Sequence, residues 1–99
     1  MLKSLNDLKE EDLQTIEDCA SCFLTPKEIA IILEFEINFF VSLCNQEGSD
    51  CYNRYQRGFL KSEFELRKSI VTLAIQGSSP AQTLSMDMVV KSRLKRNET

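Results

Sequence analysis

The chain contains no histidine and no tryptophan, and it has only three glycines and two prolines among its 99 residues. Histidine is the side chain whose unperturbed pKa lies closest to neutral pH, so the commonest general acid or base is absent. Gly48, Gly58 and Gly77 lie too far apart for the glycine-rich loop that holds nucleotide phosphates. The sequence therefore predicts a protein that is not an enzyme and binds no cofactor.

Long apolar segments are also absent from the sequence. No apolar run approaches the ~18 residues that are needed to cross a membrane. The first residues, Met1–Lys9, lack the apolar centre of a secretory signal peptide. We therefore expect a cytoplasmic protein that has no membrane partner.

Four cysteines are present, and one pair has the spacing of a metal or redox motif. Cys19 and Cys22 lie in a helical pattern without a glycine that could form a zinc-binding turn. No strand precedes them as a thioredoxin-like motif requires, and no secretory signal favours disulfides. We expect no metal site, and we interpret all four as small buried apolar residues, Cys19, Cys22, Cys44 and Cys51.

Apolar spacing predicts three helices in residues 1–47. Thr25, Pro26 and Glu28 form a strong helix start, with a capping residue, a first-turn proline and a capping box. Short helices joined by tight turns have the outline of a helix-turn-helix. The predicted helices run from about Asn6 or Lys9 to Phe23, from Pro26 to about Glu34, and over Glu36–Asn45.

The same spacing predicts which side chains face inward from these helices. They are Leu13, Ile16, Cys19, Ala20 and Phe23 in the first helix, Ile29, Ile32 and Leu33 in the second, and Ile37, Phe40, Val41 and Cys44 in the third. Phe39 and Leu43 of the third helix are predicted to face outward, as they would in a protein-binding surface.

The third helix would present Asn38, Ser42 and Asn45 to a DNA groove if it served as a recognition helix. Asparagine can read the edge of adenine. However, phosphate attraction supplies most of the affinity, and residues 1–50 carry eleven acidic and three basic side chains, a net charge of −8. Two interpretations therefore stay open: sequence-specific DNA recognition, or a helix-turn-helix that serves only as a packing module.

A long helix is predicted from about Asp50 to Gln76, with Ser49 or Asp50 as its cap. Its residues fall into three stripes on a helical wheel. The core stripe contains Tyr52, Tyr55, Phe59, Leu66, Ile70, Leu73 and Ala74, a second apolar stripe contains Leu60, Phe64, Val71 and Ile75, and a basic face on the solvent side contains Arg54, Arg57, Lys61 and Lys68. The second stripe is covered either by the chain's own last helix or by another subunit.

A last helix is predicted from Pro80 to about Lys95, after a turn in which Gly77 takes a left-handed conformation and Ser79 caps the helix. It is apolar on two sides, which again suggests a second subunit. The first side contains Ala81, Leu84 and Met88, and the second contains Met86, Val90 and Leu94. Asp87 and Lys91 are spaced to form an ion pair. The tail either contacts DNA phosphates or stays solvated, and its basic residues are Lys91, Arg93, Lys95 and Arg96.

Four segments together resemble small helix-turn-helix proteins of phages and prophages that are similar to terminase small subunits. These segments are 23–33, 55–63, 66–70 and 76–84, and the resemblance covers about residues 20–95. The most specific part is the Gly-Ser-Ser-Pro-Ala-Gln corner that begins at Gly77 and precedes the last helix.

The resemblance implies a non-catalytic accessory of viral DNA packaging in the cytoplasm of a bacterial host. It implies a DNA-binding helix-turn-helix unit in residues 1–47, and a long helix plus a C-terminal helix in residues 48–99 that assemble a homo-oligomeric ring. Periodicity and the length of 99 residues by themselves predict an all-α fold within one compact domain. The C-terminal part would engage the ATPase-nuclease large subunit. The candidate phosphate contacts are then Arg54, Arg57, Lys61, Lys68 and the four basic residues of the tail.

The candidate oligomer contacts are Leu60, Phe64, Val71, Ile75, Met86, Val90 and Leu94. Two other functions stay open beside the packaging accessory. A small transcriptional regulator would use the helix-turn-helix as a dimer on a two-fold site in double-stranded DNA. A structural oligomeric adaptor would share the assembly and bind no DNA.

Overall fold

A computed structural model describes residues 8–97 of the chain, and these residues form five helices and no strand. We number the helices in chain order: α1 Glu10–Ser21, α2 Pro26–Leu33, α3 Ile37–Asn45, α4 Asp50–Ile75 and α5 Ser79–Asn97. The predicted all-α fold is confirmed, and all five predicted helices are present. The alternative start of the first helix at Asn6 lies outside the described residues.

The chain divides into two compact units between Glu63 and Phe64. We call the described residues 8–63 the N-terminal unit and residues 64–97 the C-terminal unit. The sequence pattern predicts one domain with a division at residues 47 and 48, in the loop before α4. The division lies inside α4 because the first turns of this helix supply buried residues to the N-terminal unit, among them Cys51 and Gly58.

The N-terminal unit has a core drawn from α1, α2, α3 and the first turn of α4. Its buried members are Ile16, Ile29, Ala30, Leu33, Phe35, Phe40, Cys44 and Cys51. Partly buried side chains pack around them: Leu8, Leu13, Cys19, Leu24, Ile37, Leu43 and Tyr55. Four elements therefore share one continuous apolar interior.

The inward face of α2 differs from the prediction at one position. Ile32 is 54% exposed, whereas Ala30 is fully buried. The residues Ile29 and Leu33 fit either face, because an eight-residue helix is too short for spacing alone to decide between its two sides. Two further predictions are wrong: Phe23 is 42% exposed, and Leu43 is half-buried against the core.

The turn between α2 and α3 buries an aromatic residue. Glu34 adopts a left-handed conformation with φ of 62°, and the backbone N–H of Phe35 donates to the Ala30 carbonyl at 2.9 Å. These features close the last turn of α2. Phe35 is only 2% exposed, and its ring lies 5.4 Å from that of Phe40. The turn is therefore fixed by core packing as well as by its backbone.

Two predicted helix starts are confirmed. The Thr25 backbone N–H donates to Glu28 Oε1 at 2.8 Å, and the Glu28 N–H donates to Thr25 Oγ1 at 3.3 Å, which is a complete capping box. The hydrogen bond from the Thr25 backbone holds the pKa of Glu28 below its usual value. At α4, the Tyr52 N–H donates to Ser49 Oγ at 3.0 Å.

The corner between α4 and α5 lies in the C-terminal unit. Gly77 has a φ of 104°, as predicted, and the Ser78 N–H donates to the Leu73 carbonyl at 3.0 Å. The predicted cap Ser79 is wrong by one position, because the Ala81 N–H donates to Ser78 Oγ at 3.4 Å. None of the described helices is both long and apolar enough to cross a membrane.

Candidate interaction surfaces

The cysteines do not form a site in the part of the chain that the structure describes. Residues 8–97 contain no group of three or more histidine, cysteine, aspartate or glutamate side chains that could hold a metal ion. Burial raises the pKa of the Cys44 thiol to about 12 and that of Cys51 to about 11, so both stay protonated and unreactive near neutral pH. The predicted burial of Cys22 is wrong, because this residue is exposed.

Arg54 binds α1 instead of facing solvent. Its Nη1 donates to Glu10 Oε1 at 2.8 Å, its Nε to Glu17 Oε1 at 2.9 Å and its Nη2 to Gln14 Oε1 at 3.0 Å. The hydrogen bonds to Glu10 and then to Glu17 raise the pKa of Arg54, and its side chain is only 14% exposed. The prediction that Arg54 belongs to a solvent-side basic face is therefore wrong, and its guanidinium is occupied within the fold.

The helical wheel missed this arrangement because it considers one helix at a time. Glu10, Gln14 and Glu17 recur at spacings of four and three along α1, so they form a polar ladder on one face. That ladder meets the face of α4 that carries Arg54. Arg57 lies at the edge of the same contact, with Nη1 at 3.8 Å from Glu17 Oε1 and a side chain that is 55% exposed.

Gly58 lies at a close contact between α1 and α4. A Cβ atom at this position would overlap the backbone carbonyl of Glu17, so only glycine allows the two helices to pack at this distance. The stripes and faces predicted for α4 give this residue no role. A lone glycine inside a 26-residue helix is the signal that could have indicated it.

Aromatic residues complete the packing of α4 on the N-terminal unit. Tyr55 donates its hydroxyl proton to the Leu24 carbonyl at 2.9 Å, and burial raises the pKa of this phenol. The Phe59 ring meets Phe23 edge-on with centroids 5.1 Å apart. The part of the predicted core stripe that lies in the first half of α4 therefore faces the interior of the N-terminal unit.

The remaining residues that were predicted to contact DNA are exposed. They are Asn38, Ser42 and Asn45 on α3, Arg57 and Lys61 on the first half of α4, Lys68 on its second half, and Lys91, Arg93, Lys95 and Arg96 on α5. The predicted ion pair is present, with Lys91 Nζ at 2.9 Å from Asp87 Oδ2. Exposure makes these residues accessible to a partner without identifying one.

The two units carry opposite net charges. Residues 8–63 contain eleven acidic and five basic side chains, a net charge of −6. Residues 64–97 contain six basic and two acidic side chains, a net charge of +4. Phosphate groups are therefore attracted to the C-terminal unit more strongly than to the outer face of α3.

The C-terminal unit exposes most of its large apolar side chains. Only Ala81 is buried there, and ten large apolar residues are at least 41% exposed: Phe64, Leu66, Val71, Leu73, Ile75, Leu84, Met86, Val89, Val90 and Leu94. The predicted core positions Leu66 and Leu73 are thus wrong. Within this unit, α5 also leaves the second stripe uncovered, because Phe64 is 61% and Ile75 is 81% exposed. The second half of α4 and α5 therefore leave most of their large apolar side chains without cover within this unit.

One groove of this unit combines apolar and basic side chains. It lies between the second half of α4 and α5, has a volume of about 480 Å³, and is lined by Val71, Met88 and Val89 together with Arg67, Arg93 and Arg96. We call it the arginine groove. Its composition suits a partner surface that is apolar at its centre and acidic at its edge.

The outer side of α2 presents apolar residues beside acidic ones. Ile31 is 59% and Ile32 is 54% exposed, and Glu28, Glu34 and Glu36 are exposed nearby in the sequence. Ile31 and Glu34 line a groove of about 620 Å³ at the turn into α3. We call Glu28, Ile31, Ile32 and Glu34 the α2 face.

Comparison of the chain with protein-family models, with curated proteins and with solved structures gives no match. The functional conclusions that follow therefore depend on the surfaces described above and on the resemblance of the sequence segments.

Proposed function

We propose that this protein is a non-catalytic accessory of phage or prophage DNA packaging, similar to a terminase small subunit, that acts as a homo-oligomer. The observation that carries this proposal is the apolar surface of the C-terminal unit. It supports self-assembly, which distinguishes a packaging ring from an isolated globular domain.

The amount of exposed apolar surface fits a subunit contact. Complete burial of one large apolar side chain removes roughly 60–120 Å² from water. Ten side chains that are about half exposed therefore present roughly 300–600 Å². A standard interface buries about 800 Å² on each partner, of which roughly 450 Å² is apolar. The exposed apolar area is thus comparable with the apolar part of a standard interface.

The charge distribution supports a role in DNA binding by the assembled protein. Lys68 and Lys95 lie on the C-terminal unit, which has a net charge of +4. Repetition of such residues around an oligomer multiplies the number of phosphate contacts, so weak single contacts add to a strong one. On α3, the neutral polar residues Asn38, Ser42 and Asn45 are available for base edges.

The resemblance also supplies the partner and the place of action in this proposal. The partner is the ATPase-nuclease large subunit of the packaging motor, and the place is the cytoplasm of the bacterial host. The protein itself recognises the viral DNA and regulates the motor without performing chemistry.

The proposal is tested by binding of a fluorescently labelled DNA duplex across a series of salt concentrations. We expect the logarithm of the affinity to fall linearly with the logarithm of salt concentration. Lys68→Gln and Lys95→Gln each should weaken binding and reduce the slope by about 1, because each substitution removes one cation that neutralises a phosphate. Lys9→Gln, on the acidic N-terminal unit, is the matched control and should leave the slope unchanged.

The outcomes also separate the other two functions. An oligomer that does not bind the duplex would contradict the packaging proposal and favour the structural adaptor, for which the acidic N-terminal unit is the supporting observation. A stable dimer that binds a two-fold site would favour the transcriptional regulator.

A further inference from the structure

We propose that the subunits join head to tail, with the α2 face of one subunit seated in the arginine groove of the next. This inference depends on the self-assembly in the proposed function and names the two surfaces that would form the contact. Its occupant is a second copy of this chain.

The α2 face has the composition of a protein contact and not of a DNA contact. Ile31 and Ile32 are adjacent and more than half exposed, and no core requirement explains them. Glu28 lies one helical turn before Ile32, so both side chains share one side of α2. Lys27 is exposed beside them and lines the same groove as Ile31 and Glu34, so Glu28 and Glu34 leave this side of α2 with a net negative charge. Such a surface repels phosphate and attracts a basic apolar surface.

The arginine groove offers the complementary composition. Val71, Met88 and Val89 provide an apolar surface for isoleucine side chains. Arg93 lines the same groove, and arginine can form two parallel hydrogen bonds with a carboxylate. Arg67 and Arg96 also line the groove and add positive charge to it, but both already have interactions within the chain. The split of charge between the units therefore matches a contact between unlike surfaces of two chains.

A contact between two like surfaces is disfavoured by the same charges. Two arginine grooves facing each other would place six guanidinium groups together, and two α2 faces would place the carboxylates of Glu28 and Glu34 against their own copies. Juxtaposed like charges oppose such contacts. A contact between unlike surfaces leaves an uncovered α2 face at one end and an uncovered groove at the other, so it continues until it closes into a ring or grows as a filament.

Two blocking variants test this arrangement. Ile31→Lys with Ile32→Lys places positive charge on the α2 face and leaves the groove intact. Val89→Asp with Arg93→Glu blocks the groove and leaves the α2 face intact. All four positions line exposed surfaces, so circular dichroism should show that both proteins keep their helices.

We expect each blocking variant alone to be a monomer under conditions in which the unmodified chain assembles. An equimolar mixture should form one heterodimer of twice the 11.4 kDa subunit mass and nothing larger, because it contains one intact α2 face and one intact groove that can meet. Asn53→Lys and Thr83→Asp introduce similar charges at exposed helical positions outside both surfaces, and they should keep the mass of the unmodified assembly.

Two results would overturn the inference and leave self-assembly standing: blocking variants that still assemble fully, or blocking variants that are monomers both alone and when mixed. A monomeric unmodified chain would instead contradict the proposed function itself. The mixing experiment therefore distinguishes failure of the head-to-tail contact from failure of the oligomer.

Discussion

The two units of this chain use apolar residues in opposite ways. In the N-terminal unit, four helical elements bury a cluster of eight apolar residues, and the Phe40 side chain in it is fully buried. In the C-terminal unit, the second half of α4 and α5 bury only Ala81 and expose ten large apolar side chains. The number of helices in a unit therefore decides how much of an apolar stripe is covered: the four elements of the N-terminal unit enclose a core, and the two of the C-terminal unit do not.

A matched pair of phenylalanine truncations should show the largest difference in stability between the two units. Phe40→Ala should lower the free energy of unfolding by about 3–5 kcal/mol, because it leaves a cavity in a fully packed core. Phe64→Ala, at a site that is 61% exposed, should change the unfolding of the monomer by less than about 0.5 kcal/mol. Denaturant unfolding followed by circular dichroism measures both.

The dependence of unfolding on protein concentration should also distinguish a residue of the folded core from a residue of a subunit contact. Assembly stabilises the folded chain by mass action, so the unfolding midpoint of the unmodified protein should rise with concentration. Val89→Ala, in the arginine groove, should reduce this rise, whereas Phe40→Ala should lower the midpoint at every concentration. Equal effects of Phe64→Ala and Phe40→Ala on the dilute protein would contradict the contrast between the units.

Substitution at the close contact between α1 and α4 should give the next largest effect on stability. Gly58→Ala should lower the free energy of unfolding by about 3 kcal/mol, because the new methyl group meets the Glu17 backbone, which cannot move aside as a side chain could. The sign is opposite to that in a solvent-exposed helix, where the same change stabilises by about 1 kcal/mol.

Asn53→Ala, at an exposed position earlier on α4, is the control for helix propensity and should be neutral or slightly stabilising. If Gly58→Ala were also neutral in a urea titration, α1 and α4 would not pack as closely as the structure shows.

Substitution of one threonine in each unit should give a smaller difference in stability. Thr25→Ala should lower the free energy of unfolding by about 1 kcal/mol, because it removes the hydroxyl that caps α2. Thr83 lies within α5 and donates its hydroxyl proton to the Ser79 carbonyl at 3.3 Å, so Thr83→Ala should have little effect. Thermal unfolding of the two variants side by side measures the difference, and a larger loss for Thr83→Ala would refute it.

Ionisation of the cysteines should have the smallest effect on stability near neutral pH. With raised pKa values in the fold, Cys44 and Cys51 hold their protons longer than in the unfolded chain. Their contribution to stability is therefore complete below about pH 9 and is lost as the pH rises through about 11 to 12.

At pH 8, a thiol reagent should modify the exposed Cys22 rapidly, and Cys44 and Cys51 only after unfolding. Fast modification of all four native thiols would contradict this burial.

Local signals in the sequence predicted the helix ends well. Thr25 with Glu28, Ser49 and Gly77 each act through hydrogen bonds or backbone conformations within a few residues, so spacing along the chain contains the necessary information. The error at Ser79 is of one position, because Ser78 and Ser79 are adjacent and either could cap the helix.

Contacts between helices were predicted less well, because they depend on which elements meet. Arg54 was placed with the solvent-side basic residues, but Glu10 and Glu17 of α1 bind it. Leu66 and Leu73 share the stripe of the buried α4 residues, yet the N-terminal unit ends before them. A helical wheel shows which residues share a face, and it cannot show where the covering partner ends.

The central claim is that the apolar surface of the C-terminal unit joins copies of this chain. Light scattering after size exclusion tests it most directly, at low and at moderate salt, with the subunit mass of 11.4 kDa as the unit. We expect a closed assembly of many subunits at both salt concentrations, because apolar burial persists when charges are screened. A monomer at high protein concentration would contradict the account.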